Sequence, residues 1–407
     1  MARTELRLCH GPSCRLAGSG QITRRLEQSL GITVGESTKD DSVSLSSLPC
    51  LGACGNHALI SVNGAVATAP QADEIELFLQ RIASGDVVDS APDVEVVSSN
   101  VPAGTPSLLD FVRSEQSQSA LQLDHPQLAA KLRLTPSPRT VIVNAHRGVP
   151  GDQGERLLLE RAPRQVIAAA AELARKIGAR QLAFMIPAQF VGAADALRRA
   201  IQSPPRRHVQ IKVLSEQPAF ILSEGSVARE VLAGRPAMPV PEILLTPDDA
   251  LVVGVQELLR YAGFSSRLVS LNSGFARPGV YEFTGETTWD EVVARCALRP
   301  GAVALHLGGA MGRMLKRGDW NHTVGESYSG NSSALLIFEE QIETYTLTVT
   351  EFCALENCGK CVPCREGSYR LMQGDTRNRR ELVEALELAS LCRLGQATGE
   401  AIRSLSI

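Results

Sequence analysis

The chain has 407 residues, a length that predicts two to four domains. Hydrophobic residues make up 44% of it, a normal share for a globular protein with packed cores. The net charge of −3 argues against nucleic acid or an anionic membrane surface as a partner. The sequence starts without the apolar core of a signal peptide and contains no apolar run of membrane-spanning length, so we expect a cytoplasmic protein.

The first 86 residues have the pattern of a small α/β domain. LRLC is a short apolar strand, ITRRLEQSLG has helical periodicity that ends at Gly31, and HALISVNGAVATA predicts a hairpin that turns at Asn63–Gly64. An amphipathic helix over ADEIELFLQRI closes the domain. Residues 87–138 are rich in Ser, Pro, Asp and Gln, with a weak helix around Leu108–Arg113, and we interpret them as a linker.

Strand and helix patterns alternate over residues 139–262, which predicts a parallel sheet covered by helices. The strands are RTVIVNA, QLAFMIP and HVQIKVL, and the helices between them are APRQVIAAAAELARKIGA and ADALRRAIQ. Turn signals at SGFARPG, FTGETTW and LGGAMG predict a small β-rich module over residues 263–332. Residues 333–407 open with a strand at SALLIFEE and are then predicted to be mainly helical.

The ten cysteines are concentrated near the two ends of the chain, an arrangement that indicates metal or redox chemistry rather than disulfides. The four in the first group, each on a loop after a predicted strand, are Cys9, Cys14, Cys50 and Cys54. Four thiolates are what a [2Fe–2S] cluster needs. Structural zinc favours C-x2-C pairs, which this group lacks, and we interpret His10 and His57 as neighbours rather than ligands.

The second group contains the run ENCGKCVPCREG. Its closely spaced thiols, which can take three corners of a [4Fe–4S] cluster, are Cys358, Cys361 and Cys364. The fourth ligand must be remote, and we expect Cys392, in ELASLCRLGQA. Cys353, upstream of the run, is the competing candidate, and Cys296 is interpreted as a buried core thiol.

These motifs carry a resemblance to a known family. CHGPSC followed about 35 residues later by CLGACG resembles the thioredoxin-like [2Fe–2S] subunit of respiratory complex I. ENCGKCVPCREG resembles the C-terminal [4Fe–4S] domain of that complex's NADH-binding flavoprotein subunit, and LNSGFARPGVYEF with LGGAMG resembles the β-grasp module that precedes it. Fused chains of this type are typical of formate dehydrogenase β subunits and hydrogenase diaphorase subunits.

The resemblance implies an α/β multidomain fold with four domains. They are a thioredoxin-like ferredoxin domain (1–86), a Rossmann-like, FMN-domain-like α/β domain (139–262), a small β-grasp domain (263–332) and a helical [4Fe–4S] domain (333–407). Residues 87–138 would then be a linker with a vestigial flavin loop.

Four motifs that hold FMN and NADH in the family are altered here. The glycine-rich FMN loop corresponds to SEQSQSALQLDHPQLAAKL, which has no glycine to let backbone N–H groups approach a phosphate. N-A-D-E-G-E-P-G reads NAHRGVPG, with His146 and Arg147 in place of an acidic pair. FILSEGSVARE keeps Glu224 as its one matching carboxylate, and VGVQE lacks the asparagines of the last motif. We therefore expect neither FMN nor NAD; in the alternative, His146, Arg147 and Glu224 form a remodelled nucleotide site.

These observations and the resemblance predict an iron–sulfur electron-relay subunit of a multisubunit cytoplasmic oxidoreductase, namely the β subunit of a formate dehydrogenase-like enzyme, with no catalytic residues of its own. The expected partners are a molybdenum- or tungsten-containing formate dehydrogenase-like α subunit, or a hydrogenase module, and a soluble electron acceptor. The first alternative is an FMN-containing NADH dehydrogenase (diaphorase) subunit of a formate dehydrogenase, hydrogenase or complex I-like enzyme. The second is a structural or regulatory paralogue whose clusters do not take part in turnover.

Overall fold

The structure is a computed structural model, and it leaves short segments of the chain undescribed. The described residues are 3–85, 96–100, 107–113, 121–146, 150–202, 209–216, 219–241, 250–264, 266–326 and 333–405. Among the helices in these ranges, none combines the length and apolar character needed to cross a membrane.

The N-terminal domain is built on a sheet with the strand order β2-β1-β3-β4. Its elements are β1 (Thr4–Cys9), α1 (Pro12–Leu16), α2 (Ser19–Leu30), β2 (Val43–Leu48), β3 (Leu59–Val62), β4 (Ala65–Thr68) and α3 (Ile75–Ala83). The predicted hairpin is confirmed, with Asn63 and Gly64 at φ 51° and 88°. Because β1 and β2 are parallel, both end at the same edge of the sheet, which is where the first cysteine group begins.

The segment predicted as a linker is partly structured. It contributes β5 (Val96–Asn100), α4 (Leu108–Arg113) and α5 (Pro126–Leu134), of which α4 matches the predicted weak helix. The apolar side chains of this segment that lie buried in the core of the next domain are Leu108, Leu109, Leu121 and Leu128. The polar composition of the segment hides these widely spaced anchors, which is why it resembled a linker.

A buried carboxylate on β11 fixes the start of α4. Glu282 is fully buried and accepts hydrogen bonds from the Ser107 hydroxyl (2.7 Å) and the Ser266 hydroxyl (2.6 Å). It also accepts from the backbone N–H groups of Leu108 and Leu109, which the first turn of a helix otherwise leaves without partners. The contact joins positions more than 170 residues apart in the sequence.

The predicted parallel sheet is confirmed, with the strand order β8-β7-β6-β9. Its strands are β6 (Thr140–Asn144), β7 (Gln181–Pro187), β8 (Gln210–Glu216) and β9 (Leu251–Val253). Its helices are α6 (Gly154–Arg161), α7 (Pro163–Ile177), α8 (Val191–Gln202), α9 (Gly225–Leu232) and α10 (Val255–Tyr261). The chain moves outward from β6 through β7 to β8 and then returns to β9 on the other side of β6. The carboxyl ends of β6 and β9 therefore flank a topological switch point, the position at which such sheets bind ligands.

The next sheet draws on residues from both sides of the predicted 263–332 module. Its strand order is β13-β12-β14-β10-β11-β5. Its elements from residue 267 onward are β10 (Arg267–Leu271), β11 (Gly279–Phe283), α11 (Trp289–Cys296), β12 (Ala302–Leu307), β13 (Arg313–Lys316) and β14 (Ser333–Phe338). β14 lies between β12 and β10, so the strand assigned by sequence to the last domain belongs to the interior of this sheet.

The C-terminal region is mainly helical, as predicted. It comprises α12 (Ile342–Glu356), a π-helical turn at Pro363–Gly367, α13 (Ser368–Met372), α14 (Arg379–Ala389) and α15 (Arg393–Ser404). The second cysteine group lies between the end of α12 and the start of α15.

Glu282→Ala should loosen α4 without disturbing the sheet below it. The substitution removes the Glu282 acceptor from both N–H groups, although Leu108 N–H keeps a second acceptor in Ser266 Oγ at 3.0 Å. We expect a local loss of roughly 2 kcal/mol, within the range for hydrogen bonds to a charged group. Hydrogen–deuterium exchange at Leu108 and Leu109 should accelerate accordingly. Glu286→Ala, which changes an exposed glutamate just beyond the same strand, is the matched control. Unchanged exchange in Glu282→Ala would contradict this account of the segment.

Candidate metal centres and nucleotide site

The first cysteine group converges at the edge of the N-terminal sheet. Its four members, all buried, are Cys9 at the end of β1, Cys14 in α1, Cys50 after β2, and Cys54 in the following loop. The Sγ atoms of Cys50 and Cys54 are 3.8 Å apart. Hydrogen bonds with Cys14 and then Cys50, followed by burial, hold the pKa of Cys9 well above its usual value, so these thiols lie within direct reach of one another.

The loop from Cys50 to Cys54 favours a thiolate at its first cysteine. The backbone N–H of Gly52 donates to Cys50 Sγ at 3.2 Å. Hydrogen bonds from Cys54 and Cys9, and then from the backbone N–H groups of Gly52 and Gly151, lower the pKa of Cys50 well below its usual value despite burial. Since a thiolate is the form that binds iron, the loop is prepared for a metal cluster.

The second cysteine group surrounds a turn that begins after α12. Its members are Cys358, Cys361, Cys364 and Cys392, the last at the N-cap of α15. Gly359 has φ +73°, and its N–H donates to the Asn357 side chain at 2.9 Å, which curls the loop. Burial raises the pKa of Cys364 to about 12, and the neighbouring thiols Cys361, Cys358, Cys392 and Cys353, in that order, act in the same direction. The four predicted cysteines therefore lie together.

The other cysteines and the two histidines have different surroundings. Cys353 packs in an apolar cluster with Tyr345, and burial raises its pKa to about 12. Cys296 is half-buried on α11, less enclosed than the core thiol that the sequence predicted. His10 Nε2 lies 2.9 Å from a Glu356 carboxylate oxygen, and burial lowers the pKa of His57. Across the described ranges, no His, Cys, Asp and Glu side chains form a ready-made site for a single metal ion.

Contacts between the two cysteine-bearing regions run through α12. His10 directly follows Cys9, and its partner Glu356 lies two positions before Cys358. A second ion pair, from Arg15 to Glu351, has an N–O distance of 2.7 Å. The N-terminal domain is therefore docked on the helix that leads into the second cysteine group.

The switch point of the parallel sheet contains a buried histidine, His146, just after the end of β6. The backbone N–H of His146 donates to Asn144 Oδ1 at 3.0 Å, and Asn144 Nδ2 donates to the Leu222 carbonyl at 2.8 Å. Burial lowers the pKa of His146 to about 3, and its Nε2 atom has no hydrogen-bond partner in the described part of the chain. A buried, neutral, unpartnered nitrogen at this position fits the polar edge of a bound ligand.

On the other side of the switch point, carboxylates of the chain itself accept hydrogen bonds from the backbone N–H groups at the start of α10. Glu155 accepts hydrogen bonds from the N–H groups of Val255 (2.6 Å) and Gln256 (3.1 Å), and the N–H of Gly254 donates to Glu257 at 3.0 Å. These amides are consequently not free to hold a phosphate. Residues 114–120 of the segment without glycine, and Arg147, lie outside the described residues, whereas the end of that segment forms part of α5. Glu224 caps α9 through a hydrogen bond from Ser226 N–H.

Three family models match three separate parts of the chain. Residues 1–83 match the thioredoxin-like [2Fe-2S] ferredoxin, and residues 126–257 match the Nuo51 FMN-binding domain. Residues 344–406 match the NADH-ubiquinone oxidoreductase-F iron-sulfur binding region.

Individual relatives agree with these matches. The F subunit of NADH-quinone oxidoreductase from Aquifex aeolicus is 24% identical, over 66% of this chain and 75% of its own length. The alpha subunit of NAD-reducing hydrogenase HoxS from Cupriavidus necator is 22% identical, over 89% of this chain and 73% of its own. The solved structure of an NAD+-reducing [NiFe]-hydrogenase in the H2-reduced state superposes with a TM-score of 0.81 at 20% identity, covering 99% of this chain and 83% of that one. At that identity the superposition shows a shared fold.

The expectation that FMN and NAD do not bind is wrong. The FMN-binding model matches residues 126–257 as a whole, and the relatives are NADH and NAD oxidoreductase subunits. The four altered motifs are short, and they differ from the family in a few polar residues. The pattern of strands and helices extends over the whole domain and is retained. His146, whose Nε2 has no hydrogen-bond partner among the described residues, is the residue of those motifs that fits a bound nucleotide.

Gly52→Ala should lower [2Fe–2S] occupancy. Gly52 has φ +80°, and a Cβ there would lie 2.4 Å from Phe190 Cε1. The matched control is Gly64→Ala in the β3–β4 turn, where φ is +88° and the space is open. Both variants bear the cost of a positive φ, about 1–2 kcal/mol, but the clash affects Gly52→Ala alone. Iron content and the [2Fe–2S] EPR signal should fall in Gly52→Ala and persist in Gly64→Ala; equal retention in both would contradict the proposed packing.

Substitution of Cys392 and Cys353 tests the fourth ligand of the second cluster. We expect Cys392→Ala to lose or convert the [4Fe–4S] cluster, because Cys392 packs against the same apolar cluster as Cys358, the first cysteine of the C-x2-C-x2-C run. Cys353→Ala should leave the cluster's EPR spectrum intact, since that thiol is enclosed by apolar side chains. The reverse result would show that the fourth ligand is Cys353, on α12.

The matched segments follow one another in a single polypeptide. The first cysteine group lies within the matched ferredoxin segment, and the second lies within the matched iron-sulfur binding region. The chain belongs to the family in which a thioredoxin-like [2Fe–2S] ferredoxin is fused to an NADH-binding flavoprotein of the complex I 51-kDa type.

Proposed function

We propose that this chain is the NADH-oxidising, FMN-containing diaphorase subunit of a multisubunit oxidoreductase and carries two iron–sulfur clusters. The proposed ligands of the [2Fe–2S] cluster are Cys9, Cys14, Cys50 and Cys54, and those of the [4Fe–4S] cluster are Cys358, Cys361, Cys364 and Cys392. The observation that carries the proposal is the contact of one α/β domain with both cysteine groups. The backbone N–H of Gly151 forms a hydrogen bond with Cys50, and Cys358 and Cys392 pack against the apolar cluster of that domain that includes Leu222 and Val227.

FMN, when bound, would supply a hydride acceptor that can pass electrons on to iron–sulfur clusters. The chain's contribution is to hold that group at the switch point of β6 and β9. Burial keeps His146 neutral, so its Nε2 can form a hydrogen bond there without adding a charge. Asn144 fixes the backbone beside it through hydrogen bonds on both of its side-chain polar atoms.

The relatives favour this interpretation over a formate dehydrogenase β subunit. They are subunits of NADH-quinone oxidoreductase and of an NAD-reducing hydrogenase, and no observation on this chain points to a molybdenum or tungsten partner. We therefore propose a hydrogenase or complex I-like module as the partner of the [4Fe–4S] end.

The proposal predicts the cofactor content of the purified protein. It should contain one FMN and about six irons per chain, two in one cluster and four in the other. NADH should reduce an artificial dye with this protein as the catalyst. Protein with both clusters but without flavin or NADH oxidation would contradict the diaphorase assignment and leave an electron relay.

Two cysteine substitutions serve as internal controls for the cluster assignment. Cys50→Ser should remove the [2Fe–2S] EPR signal and spare the [4Fe–4S] signal, and Cys361→Ser should do the opposite. Zinc at either site, or loss of both signals from one substitution, would show that the ligands do not form two independent sites.

A further inference from the structure

The loop that carries Cys50 and Cys54 is held from outside its own domain. Three side chains of the FMN-binding domain donate hydrogen bonds to alternate backbone carbonyls of this loop. Gln189 Nε2 donates to the Cys50 carbonyl at 3.0 Å, Arg156 Nη1 to the Gly52 carbonyl at 3.1 Å, and Gln153 Nε2 to the Cys54 carbonyl at 2.9 Å. None of the three donors belongs to a motif that the sequence alone singles out.

Arg156 adds a charge to this contact. Its Nε lies 2.7 Å from Glu160 Oε1, one turn further along α6, and its guanidinium lies 5.8 Å from the centre of the Phe190 ring. The Arg156 and Glu160 side chains are 17% and 20% exposed. Because both side chains are largely buried, water and salt screen their charges less than they would at the surface. The charges of the pair therefore act on the adjacent loop.

The charge and hydrogen bonds around an iron–sulfur cluster, together with its solvent exposure, set its reduction potential. Reduction adds one electron, and hence one negative charge, to the cluster. A nearby guanidinium stabilises the reduced form and raises the potential, whereas a nearby carboxylate lowers it. The Arg156–Glu160 pair therefore applies two opposing influences, and each can be removed separately.

We propose that the Arg156–Glu160 pair on α6 sets the potential of the [2Fe–2S] cluster, so that the FMN-binding domain tunes a cluster bound by another domain. The proposal rests on the proposed [2Fe–2S] site. Arg156 and Glu160 act as positioning and tuning residues, since neither is a ligand.

The test is an EPR-monitored redox titration of the full-length protein, with dithionite as the electron donor. Arg156→Gln should shift the [2Fe–2S] midpoint potential to more negative values, and Glu160→Gln should shift it to more positive values. Arg156→Lys, which keeps the charge, should lie closer to the wild type than Arg156→Gln. Arg198→Gln, which breaks an exposed pair with Asp195 on α8, is the matched control and should cause no shift. The [4Fe–4S] potential provides an internal reference in every sample.

The outcomes separate this inference from the function on which it rests. A wild-type protein without a [2Fe–2S] signal refutes the cluster site itself. A wild-type signal whose potential is unchanged in both Arg156→Gln and Glu160→Gln overturns the tuning role. If Arg156→Gln loses the cluster, Glu160→Gln decides, because it leaves the Arg156–Gly52 hydrogen bond in place: a positive shift supports the inference and no shift overturns it.

Discussion

The contact between Gly52 and the Phe190 ring is the constraint on which the arrangement of the first redox centre depends. A positive φ and the absence of a Cβ let the Cys50–Cys54 loop lie flat against the FMN-binding domain. With the loop in that position, its carbonyls reach Arg156 and the two glutamines, and the Gly151 N–H reaches the sulfur of Cys50. A cluster held by the first cysteine group would thus have part of its immediate environment supplied by the next domain.

The second cysteine group is joined to the rest of the molecule by the same kind of shared contact. Glu356, at the end of α12, binds His10 of the ferredoxin domain with one carboxylate oxygen and the Phe220 N–H of the FMN-binding domain with the other. A single carboxylate therefore ties three regions together two residues before the first cysteine of the run. Each cysteine group is therefore in contact with a neighbouring domain of the same chain.

The sequence predicted those features that depend on residues close together in the chain. Both cysteine groups and the parallel sheet follow from patterns within a few residues, and the structure contains them. The order in α4 depends on Glu282, whose partners are more than 170 residues away, and no local pattern reveals such a contact. Likewise β14 follows the predicted end of its sheet yet inserts between β12 and β10. Gln153, Arg156 and Gln189 belong to no motif, so the contacts with the cluster loop became evident from the structure alone.

The error over FMN has the same origin. Short motifs report the polar groups that touch a ligand, whereas the fold that positions a ligand is distributed over the whole of residues 126–257. The most direct test of the account is an anaerobic addition of NADH to the purified protein, followed by EPR of the frozen sample. We expect NADH alone to produce the signals of both the [2Fe–2S] and the [4Fe–4S] cluster. Clusters that respond to dithionite but remain silent after NADH would contradict the assignment of this chain as a diaphorase.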